Sequence, residues 1–245
     1  MRTQQTVCKN QFGFLYPSVM RERVGERLPK FTAAQAEQLR GSYDVLTTNY
    51  YASYLTPDCN STRATTNCSS LTRGWETDLG VDGSQLPPTA RPASGSLADP
   101  KSCSTSSGYP KGYLEVLRFV HSHDRGADTL LTENGWCGNE TIDNQDQLWY
   151  YRTHLQQVHR AMYEEGIPIN GYIAWTFMDG FEWTSYAPRF GLYYVNFTAD
   201  TGKDDEYAAK PTELTRVPRT AAKWYSQLAK TGCFRADEND ATYLV

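Results

Sequence analysis

The chain has 245 residues, of which 39% are hydrophobic and 13% aromatic, and its formal net charge is −4. An acidic chain with only short apolar runs matches neither a nucleic-acid-binding protein nor a membrane-spanning one. We therefore expect no nucleic-acid partner and no membrane association.

The first half of the chain predicts two helices and a strand around a long loop. A short helix is expected from Thr32, a preferred N-cap residue, through Leu39, and a strand follows at 45–50. Residues 56–110 are rich in Ser, Thr, Pro, Gly and Asp without a sustained period, which indicates a long loop. Apolar residues three and four positions apart then predict a helix at 111–124.

The second half alternates between strands and helices more regularly. Strands are predicted at 129–132 and 172–177, and a last helix at 219–230. The clearest helix covers 144–165, with Asn144 as N-cap, Gly166 after its end and one apolar stripe made of Leu148, Tyr151, Leu155, Val158 and Met162. A barrel of parallel strands needs eight strands, so three predicted buried strands favour a half barrel with long loops.

Two segments carry the candidate chemistry. The sequence Thr-Glu-Asn-Gly at 132–135 follows a predicted strand, where parallel barrels place catalytic groups. The aromatic-rich segment 174–183 ends in Phe-Glu-Trp, which places Glu182 between two rings. Aromatic faces cover the C–H surface of a sugar and a carboxylate accepts hydrogen bonds from its hydroxyls. The two segments therefore predict a sugar site.

Four motifs, in order, resemble the C-terminal half of family 1 glycoside hydrolases, the retaining β-glucosidase and myrosinase group. They are Asn-Tyr-Tyr at 49–51, Thr-Glu-Asn-Gly at 132–135, the Trp-to-Trp segment at 175–183 and Arg-Phe-Gly-Leu at 189–192. The resemblance implies an α/β fold, strands six to eight of a (β/α)8 TIM barrel, in one domain at 1–234. We expect a disordered tail at 235–245.

The resemblance also implies a catalytic centre. Glu133 matches the nucleophile of the family and Tyr51 the tyrosine that donates a hydrogen bond to it, while Asn49 lines the same site. The alternative for Glu133 is an ordinary glutamate at a strand end, and the alternative for Tyr51 is a core aromatic residue.

Four further residues match positions that bind the sugar. Glu182 resembles the residue that binds the 4- and 6-hydroxyls, Trp183 the one that bonds the 3-hydroxyl, and Trp175 the ring beneath the sugar. Phe190 resembles an aromatic residue at the mouth of the site, although the loop 184–188 is one residue shorter than usual. The alternative for each tryptophan is core packing.

The acid/base motif of the family, Asn-Glu-Pro, occurs nowhere in the chain. The resemblance therefore implies a β-glucosidase that hydrolyses small β-glycosides without metal or organic cofactor, but a chain with little activity alone. A complementing N-terminal barrel half would be its partner. The alternatives are a non-catalytic sugar- or partner-binding relative, a gene-model fragment, and a myrosinase-like enzyme with a replaced acid/base.

The cysteines and glycosylation sequons favour a secretory glycoprotein. None of the six cysteines forms a Cys-x-x-Cys pair, so zinc is not expected, and Cys59 and Cys68 bracket a polar loop that a disulfide would suit. The chain shows no signal-peptide pattern of its own. Four sequons begin at Asn60, Asn67, Asn139 and Asn196.

Overall fold

The computed structural model describes residues 16–59, 74–81, 85–97, 99–104, 106–183, 185–197 and 214–234. The chain divides into two compact units, one made of 1–46, 54–88 and 118–128 and the other of 47–53, 89–117 and 129–245. The predicted tail at 235–245, Cys68 and the sequon residues Asn60 and Asn67 lie outside the described residues.

The first unit contains short helices. These are α1 (Ser18–Val24), a 3-10 turn (Gly25–Arg27), α2 (Ala33–Leu39) and α3 (Trp75–Leu79). The predicted cap of α2 is confirmed, because the Thr32 hydroxyl accepts from the Gln35 N–H at 3.2 Å and the Gln35 side chain accepts from the Thr32 N–H at 3.0 Å. Helix α3 lies inside the stretch that was predicted to be loop, so that prediction was wrong there.

The second unit is built on a three-stranded sheet. Strand β1 (Val45–Tyr50), whose first two residues belong to the first unit, is followed in the sheet by β4 (Asp128–Asn134) and β5 (Ile169–Ala174). Strands β4 and β5 are parallel, with a register irregularity between Leu131 and Asn134. Two antiparallel pairs complete the strands, β2 (Arg91–Pro92) with β3 (Ser107–Gly108) and β6 (Tyr193–Val195) with β7 (Arg216–Pro218).

Helices cover one side of this sheet. They are α4 (Pro110–His123), α5 (Gln145–Tyr163) and α6 (Thr220–Thr231). The Asn144 side chain caps α5 by accepting from the Gln147 N–H at 3.0 Å, as predicted, but the helix ends at Tyr163, so Gly166 with its φ of 68° lies beyond the end. Among the described residues, no helix combines the length and apolar character needed to cross a membrane.

The three strands bury one face rather than two. In β1 only Tyr50 is fully buried, while Val45, Thr47 and Asn49 are exposed, and in β5 Ile173 is 49% exposed. The prediction of buried strands was therefore only half right. The core forms on the side where the helices α4, α5 and α6 pack, from Leu131, Tyr113, Tyr150 and Trp224 among others.

Strand β5 also lies three residues earlier than the predicted strand at 172–177. After Ala174 the chain leaves the sheet, because the Thr176 N–H donates to the Phe190 carbonyl and the Thr176 carbonyl accepts from Leu192. These partners lie far along the chain and convert an apolar stretch into the start of a loop. Residues 175–192, called the sugar loop below, therefore connect β5 to β6.

Two disulfides involve described cysteines. Cys103 is bonded to Cys137, which links the segment before β3 to the loop after β4. Cys59 is also disulfide-bonded, but its predicted partner Cys68 lies outside the described residues. Cys233 is a free thiol.

Candidate active site

Glu133 and Tyr51 meet where β4 and β1 end. The Tyr51 hydroxyl donates to Glu133 Oε2 at 2.6 Å, and both side chains are partly buried. Burial, the hydrogen bond to Glu133 and the negative charges of Glu133 and Glu182 raise the Tyr51 pKa well above its ordinary value. The phenol therefore stays protonated near neutral pH, and it is a permanent donor to a carboxylate.

Asn134, the residue after Glu133, ties the three strand ends together from beneath. Its buried side-chain amide donates to the Tyr50 carbonyl at 2.7 Å and accepts from the Tyr172 hydroxyl at 2.6 Å. Sequence reasoning gave Asn134 no role of its own. Its position beside the nucleophile candidate in the Thr-Glu-Asn-Gly motif was the available signal.

Gly135 completes this motif for a steric reason. A Cβ added there would lie 1.9 Å from the carbonyl oxygen of Trp175. Since no other residue type lacks a Cβ, only glycine allows the chain after β4 to pass so close to the end of β5.

Asn49 lies on β1, the strand that leads to Tyr51 and pairs with the strand that carries Glu133. It is exposed, and its Oδ1 accepts from the Thr132 hydroxyl at 2.6 Å. This bond links the ends of β1 and β4 on the open face of the sheet.

Glu182 lies in the sugar loop within electrostatic range of Glu133. The Trp175 indole N–H donates to Glu182 Oε2 at 3.4 Å, a long bond. Burial and the charges of Glu133 and Asp179 raise the Glu182 pKa above its ordinary value, against the opposing effect of the bond from Trp175. The structure thus brings two candidate carboxylates, one tyrosine and one indole into a single site.

The root of the sugar loop is held by a buried ion pair that sequence reasoning missed. Arg219, immediately before α6, contacts both carboxylate oxygens of Asp179 at 3.0 and 2.9 Å, and both side chains are fully buried. Asp179 also accepts from the Gly191 and Val195 N–H groups, while Arg219 donates to the Asn139 and Thr141 carbonyls. The pair fastens both ends of the loop to α6.

The last two predicted residues differ in placement. Phe190 packs edge-on against Tyr51, with ring centroids 5.7 Å apart, despite the shortened loop before it. Trp183 is 95% exposed and has a φ of 59°, at the tip of a tight turn closed by backbone bonds between Glu182 and Ser185. Its indole is therefore almost entirely open to solvent.

Within the part of the chain that the structure describes, no cluster of three His, Cys, Asp or Glu side chains could hold a metal ion. What the site offers is a carboxylate with a fixed donor, a second carboxylate of raised pKa, and exposed and half-buried aromatic rings. This combination suits nucleophilic attack on a neutral, hydroxyl-rich substrate.

A sequence profile of glycosyl hydrolase family 1 matches residues 4–233. The chain belongs to glycosyl hydrolase family 1. It is 30% identical to β-glucosidase 26, peroxisomal, of Arabidopsis thaliana, over 88% of this chain and 36% of that protein. It is also 30% identical to a protein named "Probable inactive beta-glucosidase 25" from the same plant, over 84% of this chain and 39% of that one.

A solved family 1 structure shows the same architecture. A rice β-glucosidase superposes with a TM-score of 0.69 at 26% identity, over 88% of this chain and 43% of the rice chain. The sheet and its helices are therefore part of the family's (β/α)8 barrel, as predicted. The chain spans about two fifths of the length of the relatives it matches.

Proposed function

We propose that this chain forms the nucleophile-bearing part of a retaining β-glucosidase that releases terminal β-D-glucosyl residues. The observation that carries the proposal is the 2.6 Å hydrogen bond from Tyr51 to Glu133 at the ends of β1 and β4. Family membership gives that pair its interpretation, because retaining glycosidases form a covalent intermediate on a carboxylate.

In this reaction the ionised Glu133 carboxylate attacks the anomeric carbon. A bond forms between a Glu133 oxygen and that carbon while the bond to the aglycone oxygen breaks, and water later releases the sugar. The Tyr51 hydroxyl donates to Glu133 Oε2 and fixes the orientation of that carboxylate. The second carboxyl group, which protonates the leaving oxygen about 5.5 Å away, would come from residues outside this chain.

The sugar loop supplies the binding groups in this proposal. Glu182 anchors the 4- and 6-hydroxyls of the glucosyl unit, and the Trp175 ring lies beneath it. Trp183, which is exposed at the tip of this loop, donates to the 3-hydroxyl. Asn49 and Phe190 line the remaining walls.

We also propose that further barrel strands complete the site. Within the described residues, β1 and β5 are the outer strands of the three-stranded sheet, and exposed strand edges are templates for pairing. A complementing N-terminal barrel half would cover those edges and bring the acid/base. Mixing this chain with such a fragment should restore turnover of a simple aryl glucoside.

The proposed setting is the secretory pathway. The Cys103–Cys137 disulfide is typical of oxidising compartments, and the sequon asparagines Asn139 and Asn196 are both partly exposed. The mass shift caused by a glycosidase that removes N-linked glycans would check this proposal on the chain purified from its source.

The decisive experiment is trapping with 2,4-dinitrophenyl 2-deoxy-2-fluoro-β-D-glucoside. Dinitrophenolate leaves without protonation, so the first half-reaction needs the nucleophile but no acid. We expect one equivalent of dinitrophenolate and a fluoroglucosyl group on the peptide that contains Glu133. Glu133→Gln should abolish labelling, whereas Asp128→Asn, a change at the exposed start of the same strand, should not.

Two results would contradict the proposal. The first is a chain that is folded by circular dichroism but acquires no label, or a label on another residue. The second is rapid turnover of p-nitrophenyl β-D-glucoside by this chain alone, which would show that it already contains an acid/base.

The alternative is a sugar-binding relative without catalysis. Its support is the missing Asn-Glu-Pro motif and the similarity to a relative whose name calls it inactive. Binding of glucose in calorimetry, with no labelling of Glu133, would favour this alternative.

A further inference from the structure

Two adjacent tyrosines on α5 contact the two sides of the candidate site. Tyr150 and Tyr151 are both completely buried. The Tyr150 hydroxyl donates to the Tyr51 carbonyl at 2.9 Å, and the Tyr151 hydroxyl donates to the Trp175 carbonyl at 2.9 Å. One helix thus touches the main chain of the nucleophile's partner and the main chain of a sugar-loop residue.

Tyr150 takes part in a further side-chain hydrogen bond. Its hydroxyl also accepts from Asn134 Nδ2 at 2.8 Å, and the same amide nitrogen donates to the Tyr50 carbonyl. Tyr150 therefore bridges Tyr51 to the residue that follows Glu133. A single phenol joins the end of β1 to the end of β4 directly beneath the catalytic pair.

Two aromatic side chains pack against the Tyr150 ring. It stacks on His154 with centroids 3.8 Å apart and an interplanar angle of 23°, and Trp136 lies against it at 5.5 Å. Burial raises the Tyr150 pKa well above its ordinary value, so its hydroxyl keeps the proton that it donates. The hydroxyl that donates to Tyr51 is therefore carried by a ring that other aromatic side chains hold in the core.

We propose that Tyr150 is a positioning residue for the nucleophile: by fixing the main chain of Tyr51, it fixes the Tyr51 hydroxyl on Glu133. This inference rests on the proposed function. The Tyr51 hydroxyl lies at the far end of its side chain, so a small rotation of the main chain displaces it by much more. Tyr151 acts on Trp175 in the same way, and hence on sugar binding rather than on attack.

The test separates rate from affinity with variants that each lose one oxygen atom. The rate of dinitrophenolate release from 2,4-dinitrophenyl 2-deoxy-2-fluoro-β-D-glucoside is measured as a function of probe concentration. Tyr150→Phe should lower the limiting rate constant roughly tenfold and change the half-saturating concentration by less than about twofold. Tyr151→Phe should do the reverse, raising the half-saturating concentration several-fold with a nearly unchanged limiting rate.

Tyr163→Phe is the matched control. Tyr163 ends the same helix and its side chain is 73% exposed. It should leave both constants unchanged. If Tyr150 had only a structural role, Tyr150→Phe would lower the thermal midpoint without changing the limiting rate constant more than the half-saturating concentration. The proposal would be overturned if both constants in Tyr150→Phe equalled those of the wild type. It would also be overturned if Tyr150→Phe and Tyr151→Phe changed both constants identically.

Amide hydrogen exchange provides a readout that does not depend on sugar chemistry. Tyr150→Phe should speed exchange in the peptide covering 47–53 and leave 169–174 at the wild-type rate. Unchanged exchange at 47–53 would overturn the inference even if the wild-type chain takes no label. The wild-type chain could take no label while Tyr150→Phe still speeds amide exchange at 47–53. That result would refute the proposed function and leave the role of Tyr150 in fixing the Tyr51 main chain intact.

Discussion

The two sides of the site are built differently. On the nucleophile side, Glu133 and Tyr51 stand at strand ends, and buried hydrogen bonds from Asn134 and Tyr150 hold the backbone beneath them. On the sugar-loop side, one buried ion pair holds the root, while the tip is exposed, with Phe181 at 58% and Trp183 at 95%.

The difference matches what each side would do in the proposed reaction. Nucleophilic attack tolerates only small errors in distance, so its groups are best placed on strands that are fixed from below. Sugar contacts form as the ligand binds, and an exposed loop tip can adjust at that moment. Buried polar groups therefore lie beneath Glu133, whereas in the sugar loop they lie only at its root.

Breaking the root of the loop should have the largest effect on stability. Asp179→Asn leaves the Arg219 guanidinium buried and uncompensated, which should lower the free energy of unfolding by about 3–5 kcal/mol. Urea denaturation measures the change. The control is Asp146→Asn, because the 2.7 Å pair between Asp146 and Arg91 is partly exposed and should be worth less than about 1 kcal/mol.

Equal losses in the two variants would show that burial of the Asp179–Arg219 pair adds nothing. That result would contradict the inference that the buried Asp179–Arg219 pair holds the sugar loop in place.

The buried His154 in the core beneath Glu133 should make the free energy of unfolding depend on pH. Burial, against an opposing bond to the Tyr150 carbonyl, lowers the His154 pKa to about 3, whereas an unfolded histidine titrates near 6.5. Between these values the unfolded chain binds the extra proton, so the free energy of unfolding falls as pH falls through this window. The slope should be on the order of 1 kcal/mol per pH unit.

The comparison variant is His154→Gln, which should flatten the slope measured by urea denaturation from about pH 7 to about pH 4. His159→Gln, at an exposed position on the same helix, should keep the wild-type slope. If His154→Gln retains the full pH slope of the free energy of unfolding, His154 is not the titrating group. The core beneath Glu133 would then be more hydrated than its burial indicates.

The sequence predicted those parts of the fold that depend on local chemistry. Helices α2 and α5 begin at side-chain caps, Thr32 and Asn144, whose partners lie three residues away. The end of β5 was missed because Thr176 bonds to Phe190 and Leu192, far along the chain. The Cys103–Cys137 bridge was missed for a similar reason, since six cysteines allow 15 pairings.

Site prediction had the same limit. Glu133 and Tyr51 could be proposed as site residues because they belong to short motifs, and the structure brings their side chains into contact. Asn134 and Tyr150 support them through contacts between a strand end and a helix, and the predicted apolar stripe of α5 contains Tyr151 but not Tyr150. Residue type and spacing can propose candidate reactive groups, whereas the groups that hold them are recognised only in the folded structure.

The tip of the sugar loop should give the smallest change in stability and still affect binding. Trp183→Ala removes a side chain that is 95% exposed, so the free energy of unfolding should change by less than about 0.5 kcal/mol. The half-saturating concentration of the fluoroglucoside probe should nevertheless rise, because in the proposed function the indole donates to the 3-hydroxyl of the sugar. Phe119→Ala, which removes another exposed ring, is the control and should leave that concentration unchanged. A loss of several kcal/mol in Trp183→Ala would mean that the tip is packed in solution, and the contrast between a fixed nucleophile side and an adjustable sugar side would fail.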